Sequence, residues 1–228
     1  MDPLLESKIS EIRENLATLH SLVATAFTKA MKSFEDLDTD LANEAGTVSD
    51  RVTELHQLVE DHVFDTVSKF QPTGIELRRL ITYNNTSASL HRVGQYADKI
   101  ARIVEQCEDL DHFKELESLP YLGELALSAI DVSMRSVLDD DLSEIEELEK
   151  LEAQSDREAV DMFEEIAEYL SRRRDICELA MYYIIVGRYC ERAADQAIRI
   201  AESAIYGLTG ERRKLGLRYE EESESMLD

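Results

Sequence analysis

Apolar residues recur every three to four positions along most of the chain, which is the spacing of one buried face on an α-helix. In the first half this pattern forms three runs, at about 4–34, 38–70 and 75–107. Pro72 and Gly74 stand between the second and third runs, and both residue types interrupt helices. The first half is therefore predicted to contain three long helices.

The second half has the same order of segments. A polar stretch at 108–118 precedes a fourth run at 122–137, an acidic corner at 139–141, a fifth run to about Leu170 and a sixth that ends near Tyr206. We predict an all-α fold of two tandem antiparallel three-helix bundles. Residues 1–108 form the first bundle, 109–120 a linker, 121–206 the second bundle, and 207–228 a polar, disordered tail.

Similarity between the two halves supports this division. When the third predicted helix is shifted by 100 residues onto the sixth, five positions carry the same residue type. Repetition at a fixed period indicates a repeated structural unit. The identical pairs are Tyr83 with Tyr183, Arg92 with Arg192, Ala97 with Ala197, Ile100 with Ile200, and Ala101 with Ala201.

The charge of the chain limits its partners. The sequence has 49 Asp and Glu against 25 Lys and Arg, a formal net charge of -24, so its surface repels nucleic acids and anionic lipids. A solvated acidic surface or a salt-adapted composition also gives this balance. The three cysteines form no CxxC pair and no eighteen apolar residues run together. We therefore expect a cytoplasmic protein with free thiols that does not insert into a membrane.

Two groups of residues resemble motifs of the PhoU family. One is Gln71-Pro72 followed by Leu77-Arg78, and the other is Glu191-Arg192, Asp195, Ala197 and Ile200-Ala201-Glu202. The resemblance covers the chain to about Ala204 and implies two three-helix repeats. The chain departs from the family pattern at His91 and Gln95, where the family has an acid and an aspartate.

The resemblance also implies metal ligands, because the acid-x-x-x-Asp motif of the family is associated with clusters of metal ions. Residues four apart share one helical face, and iron, zinc, manganese and magnesium accept carboxylate oxygens. The candidates are Glu191 and Asp195 on the sixth helix, Glu152 and Asp156 on the fifth, and Asp50, Glu54 and His91 in the first half.

Other interpretations of these residues stay open. Acid pairs four apart are expected by chance in a chain with 49 acids among 228 residues. A half-buried carboxylate needs a partner, and Arg188 or Arg192 is an alternative to a metal beside the acids of the sixth helix. His91 is equally consistent with a hydrogen-bonded histidine on the helix surface.

The resemblance implies a cytosolic regulatory adaptor rather than an enzyme. Members of the family restrain phosphate uptake by coupling a phosphate transporter to a sensor kinase. The expected partners are therefore the ATPase subunit of a phosphate ABC transporter and a sensor histidine kinase. A monomer and a homodimer both stay open. Common enzyme motifs such as GxxxxGK[ST] and HExxH are absent from the sequence. The alternatives are an accessory regulator of another ion or phosphate transporter, and a metal-dependent helical enzyme or metal store.

Overall fold

The computed structural model describes residues 2–107 and 109–216, which form six α-helices and no β-strand. The helices are α1 (Pro3–Asp36), α2 (Thr39–Phe70), α3 (Gly74–Glu105), α4 (Ser118–Leu138), α5 (Ile145–Arg172) and α6 (Cys177–Thr209). The predicted all-α fold is confirmed. None of the helices in these two ranges combines the length and apolar character that crossing a membrane requires.

Short turns connect the helices of the first half. Asp38 is the N-cap of α2, and its side chain accepts a hydrogen bond from the Leu41 amide at 2.9 Å. The residue before it, Leu37, ends α1 with a φ of 51°, and Gln71 ends α2 with a φ of 46°. A left-handed residue after the last helical turn is a common way to stop a helix. These turns reverse the chain within a few residues, so consecutive helices pack antiparallel.

The connection between the halves, residues 106–117, begins and ends three residues earlier than the predicted linker 109–120. α4 begins at Ser118, four residues before the predicted start at Leu122, so the predicted linker 109–120 contains the first turn of α4. Pro120 lies in that turn. It is the last residue of the predicted linker, because proline often marks a helix boundary. The first amides of a helix have no partner within the helix, however, so a proline there removes no hydrogen bond.

The six helices enclose one continuous hydrophobic core. α1, α2 and α3 pack on one another, α4 and α5 pack on α6 and on each other, and α3 packs along α6 between the bundles. At this α3–α6 contact a Cβ added to Gly207 would overlap Oγ1 of Thr82. The same hydroxyl donates to the carbonyl oxygen of Ser203 at 2.9 Å. The two bundles are therefore joined by closely packed helices.

His112 anchors the connection between α3 and α4. Its Nδ1 lies 2.6 Å from the hydroxyl oxygen of Tyr183, and its Nε2 lies 3.1 Å and 3.0 Å from the carbonyl oxygens of Phe34 and Glu35. Carbonyl oxygens only accept hydrogen bonds, so Nε2 carries the proton and Nδ1 accepts from the tyrosine hydroxyl. One imidazole thus ties the connecting segment to the end of α1 and to α6.

The chain turns back after α6. Gly210 ends this helix with a φ of 78°, which glycine adopts without a steric penalty. Leu215 is buried and its amide donates to Glu202 of α6, while the amide of Gly216 donates to the buried Glu149 of α5 at 3.1 Å. The tail predicted from position 207 therefore packs against α5 and α6 as far as position 216. The rest of that prediction, 217–228, lies outside the described residues.

Candidate functional site

Glu191, one of the two predicted acids of α6, is paired with arginine. Glu191 is half-buried, with 22% of its side chain exposed. Both of its carboxylate oxygens accept from Nη1 of Arg188, at 3.0 Å and 2.8 Å. Side chains three residues apart meet on a helix surface, and a charge-assisted pair satisfies a carboxylate without a metal ion. Of the two alternatives raised by the sequence, this acid adopts the arginine-paired one in the structure.

Asp195 lies one turn further along α6 and is also half-buried. Burial raises the pKa of this carboxyl group, because it disfavours the charged form. The positive charges of Arg199, Arg192 and Arg188 act in the opposite direction. A carboxylate among three guanidinium groups is in a positive local field, which disfavours a metal cation beside it.

The predicted acids of α5 lie beside the returning C-terminal segment. Glu152 is half-buried, and a Cβ added to Gly216 would stand 3.5 Å from its carboxylate oxygen. Asp156 is exposed on the same helix. The acid that holds the returning segment is the neighbouring Glu149, which the sequence analysis did not single out. The segment therefore fills space next to one predicted ligand.

His91 of the first half faces neutral polar groups. Its Nε2 lies 3.3 Å from Oγ1 of Thr53 and 3.5 Å from Nε2 of Gln95. Asp50 and Glu54, the acids predicted to accompany it, are exposed on α2. The structure thus places His91 in a hydrogen-bonded position between α2 and α3.

Sequence reasoning missed His56, which lies beside His91. The two rings stack with centroids 4.4 Å apart, and Nδ1 of His56 lies 2.8 Å from Oγ of Ser87. Burial lowers the pKa of both histidines, because the interior disfavours the charged imidazolium. A signal was available in the sequence, since His56 falls between Val52 and Val59 in the apolar stripe of α2.

The candidate ligands named from the sequence do not gather into one cluster in the part of the chain that the structure describes. Over residues 2–107 and 109–216, no group of three or more His, Cys, Asp or Glu side chains is placed to hold a metal ion. The acids of α6 face arginines, and the imidazole of the first half faces hydroxyl and amide groups. Metal binding stays a prediction at the seven candidates named from the sequence, and no step of the proposed function depends on it.

Comparison with known proteins decides the family. The chain matches the family description "PhoU domain" twice, over residues 16–104 and 119–204. The chain belongs to the PhoU family. The resemblance found in the sequence motifs is therefore confirmed, and each match falls on one of the two three-helix bundles.

Similar proteins align with 90% or more of this chain. "Phosphate-specific transport system accessory protein PhoU homolog 1" of Thermotoga maritima is 24% identical over 217 residues, covering 93% of this chain and 92% of the relative. "Phosphate-specific transport system accessory protein PhoU" of Escherichia coli is 22% identical over 205 residues, covering 90% of this chain and 85% of the relative.

Solved structures of PhoU proteins share the fold. The crystal structure of PhoU from Pseudomonas aeruginosa has a TM-score of 0.86 at 21% identity, covering 90% of this chain and 99% of that chain. The crystal structure of the phosphate transport system regulatory protein PhoU from Streptococcus pneumoniae has a TM-score of 0.83 at 21% identity. It covers 92% of this chain and 100% of that chain. The paired three-helix bundles are thus the fold of these PhoU proteins.

Proposed function

We propose that this PhoU-family chain is a cytoplasmic accessory protein of phosphate transport that restrains phosphate uptake and phosphate-starvation signalling. It acts by binding other proteins and carries out no catalytic step. The partners proposed are the ATPase subunit of a phosphate ABC transporter and a sensor histidine kinase, and the chain is proposed to form a homodimer.

One observation carries this proposal. Both bundles match the PhoU domain, and relatives named as accessory proteins of phosphate-specific transport align with 90% or more of the chain. A protein that acts by docking needs its whole surface architecture in place, so similarity over both halves supports the proposal more than one matching motif would. The net charge of -24 suits docking on protein surfaces that carry basic patches.

A deletion strain of the source organism tests the regulatory role. In medium rich in phosphate, the deletion should raise the rate of radiolabelled phosphate uptake and switch on a phosphate-starvation reporter. Expression of the wild-type chain should reverse both changes. Unchanged uptake and a silent reporter in the deletion strain would refute the proposal.

A charge-matched pair of variants asks whether the acidic face of α6 takes part in docking. Glu191→Gln with Asp195→Asn removes two acids four apart, and Asp61→Asn with Asp65→Asn removes two exposed acids at the same spacing on α2. If the α6 face docks, the first double variant fails to restore repression and the second restores it. Equal repression by both variants would show that this face is not needed.

Binding is tested by purifying the chain from solubilised membranes of the same organism. Mass spectrometry should find the phosphate ABC transporter ATPase and the sensor kinase, and purified components should then bind in a pairwise assay. Recovery and pairwise binding of a different ion transporter, together with normal phosphate uptake in the deletion strain, would instead support the alternative of an accessory regulator for that transporter.

A further inference from the structure

A groove between α3, α6 and the segment after Gly210 has an unusual charge for this acidic molecule. The groove has a volume of about 440 Å³ and is lined by five cationic side chains but one carboxylate, Glu202. The cations are Arg92 from α3, Arg199 from α6, and Arg212, Arg213 and Lys214 from the returning segment. We call this cavity the α3–α6 groove.

Most of these cations lack an acidic partner. Arg213 lies 3.7 Å from the carboxylate of Glu149. In the part of the chain that the structure describes, Arg92, Arg199, Arg212 and Lys214 form no ion pair, although acids outnumber bases almost two to one. Of these four, Arg199 acts at longer range on the carboxyl group of Asp195. Clustered cations without partners repel one another, and a bound anion would relieve that repulsion.

A buried amide lies in the wall of the groove. Gln196 lines the groove and is only 4% exposed, yet its side-chain oxygen has no hydrogen-bond partner among the described residues. A buried polar group without a partner is costly.

Three separate elements of the fold form this groove. The left-handed turn at Gly210 sends the chain back, and the burial of Leu215 with its hydrogen bond to Glu202 fixes the segment against α6. The three consecutive basic residues are thereby placed opposite the arginines of α3 and α6. Arg212 also lies over the ring of Tyr206, with its Cζ 4.5 Å from the ring centroid.

We propose that the α3–α6 groove binds a phosphate-bearing anion. Guanidinium groups match phosphate oxygens in planar, two-point hydrogen bonds. The volume lies within the range of about 300–1,000 Å³ that is usual for small-molecule sites, and Ile81, Ala88 and Tyr206 add apolar wall. The groove thus has room for an organic group beside the phosphate. Distant surface acids do not prevent binding, because physiological salt screens charges beyond about 8 Å. This inference does not depend on the proposed regulatory function.

Calorimetric titration of the full chain with two probes, inorganic phosphate and adenosine 5′-monophosphate, tests the proposal and separates the two sources of phosphate. Tighter binding of the nucleotide identifies an organic phosphate, and we expect this result because of the volume and the apolar wall. Equal affinity for both probes shows that the phosphate group alone accounts for binding, so that free phosphate is a sufficient ligand. Binding should weaken as salt is raised.

Two variants that remove equal charge make the test specific. Arg92→Gln with Arg199→Gln removes two groove cations, whereas Arg51→Gln with Arg174→Gln removes two exposed arginines elsewhere. The first should weaken binding of either probe by about tenfold or more for each arginine lost, and the second should leave it within about twofold of wild type. Circular dichroism checks that both variants keep wild-type helicity. Absence of binding to both probes, or equal weakening in the two double variants, would overturn the proposal.

Discussion

Replacing Tyr183 with phenylalanine removes one hydroxyl from the junction of the two bundles and leaves the ring in place. Tyr183 is fully buried. Its ring centroid lies 5.7 Å from that of Phe34 and 4.8 Å from that of Phe113, and phenylalanine keeps both contacts. Among the residues that the structure describes, the substitution removes one hydrogen bond, from the hydroxyl to Nδ1 of His112.

The size of the effect follows from that single loss. A buried acceptor that loses its donor destabilises the folded state by about 1–3 kcal/mol. For a protein of about 150–250 residues, each kcal/mol shifts Tm by about 2–4 °C. The free energy of unfolding of Tyr183→Phe should therefore fall by about 1–3 kcal/mol and its Tm by about 2–12 °C.

Thermal and urea denaturation followed by circular dichroism measure both quantities. Tyr182→Phe is the matched control, because this neighbouring hydroxyl donates to Gln106 at 3.1 Å in an exposed position. Its loss should lower the free energy of unfolding by less than about 0.5 kcal/mol. Nitrogen-15 chemical shifts should also place the proton of His112 on Nε2 in the wild type. If Tyr183→Phe is as stable as Tyr182→Phe, or if the proton lies on Nδ1, the reasoning about this junction is refuted.

Two further predictions concern the carboxylate and histidine sites. Because Arg188 pairs with Glu191 and arginine charges act on Asp195, untagged wild-type protein and a Glu191→Ala, Asp195→Ala variant should have the same metal content by mass spectrometry. Stoichiometric metal that disappears in the variant would contradict this expectation and support the metal site implied by the family. Burial lowers the pKa of His56 below 6.5, although the nearby Glu60 acts in the opposite direction and His91 stacks beside it. As the pH falls below about 6.5, the unfolded chain therefore takes up a proton at this histidine that the folded chain does not. Urea denaturation between pH 5 and pH 8 should therefore show stability lost toward acid and a smaller loss in His56→Gln; equal pH dependence in both proteins would contradict this assignment.

The helices could be predicted because their signals are local. The apolar stripe of α1 and the Pro72–Gly74 interruption follow from helix period and backbone geometry within a few residues. The start of α4 was missed by four residues, because a proline is compatible both with a helix boundary and with the first helical turn. Only the backbone conformation of that turn distinguishes a helix boundary from a first helical turn.

The candidate site was harder to predict, because the partner of a charged side chain is a tertiary property. The spacing of Glu191 and Asp195 placed them on one face of α6, but the same spacing is compatible with a metal, with arginine pairing or with solvent. Arg188 takes both oxygens of Glu191 in the structure. The stacking of His56 on His91 likewise depends on the relative positions of α2 and α3.

The sequence by itself determined the six helices, their division into two repeats and the family, because hydrophobic periodicity and motif spacing are properties of the chain alone. The tertiary structure alone decided that α3 packs along α6 and that Gly210 sends 211–216 back over α5 and α6. It thereby brought Arg92 and Arg199 together with the basic residues at 212–214. Residues more than a hundred positions apart come into contact only when the apolar faces of their helices pack together. The burial of apolar surface does not depend on charge, yet it decides which charged groups become neighbours.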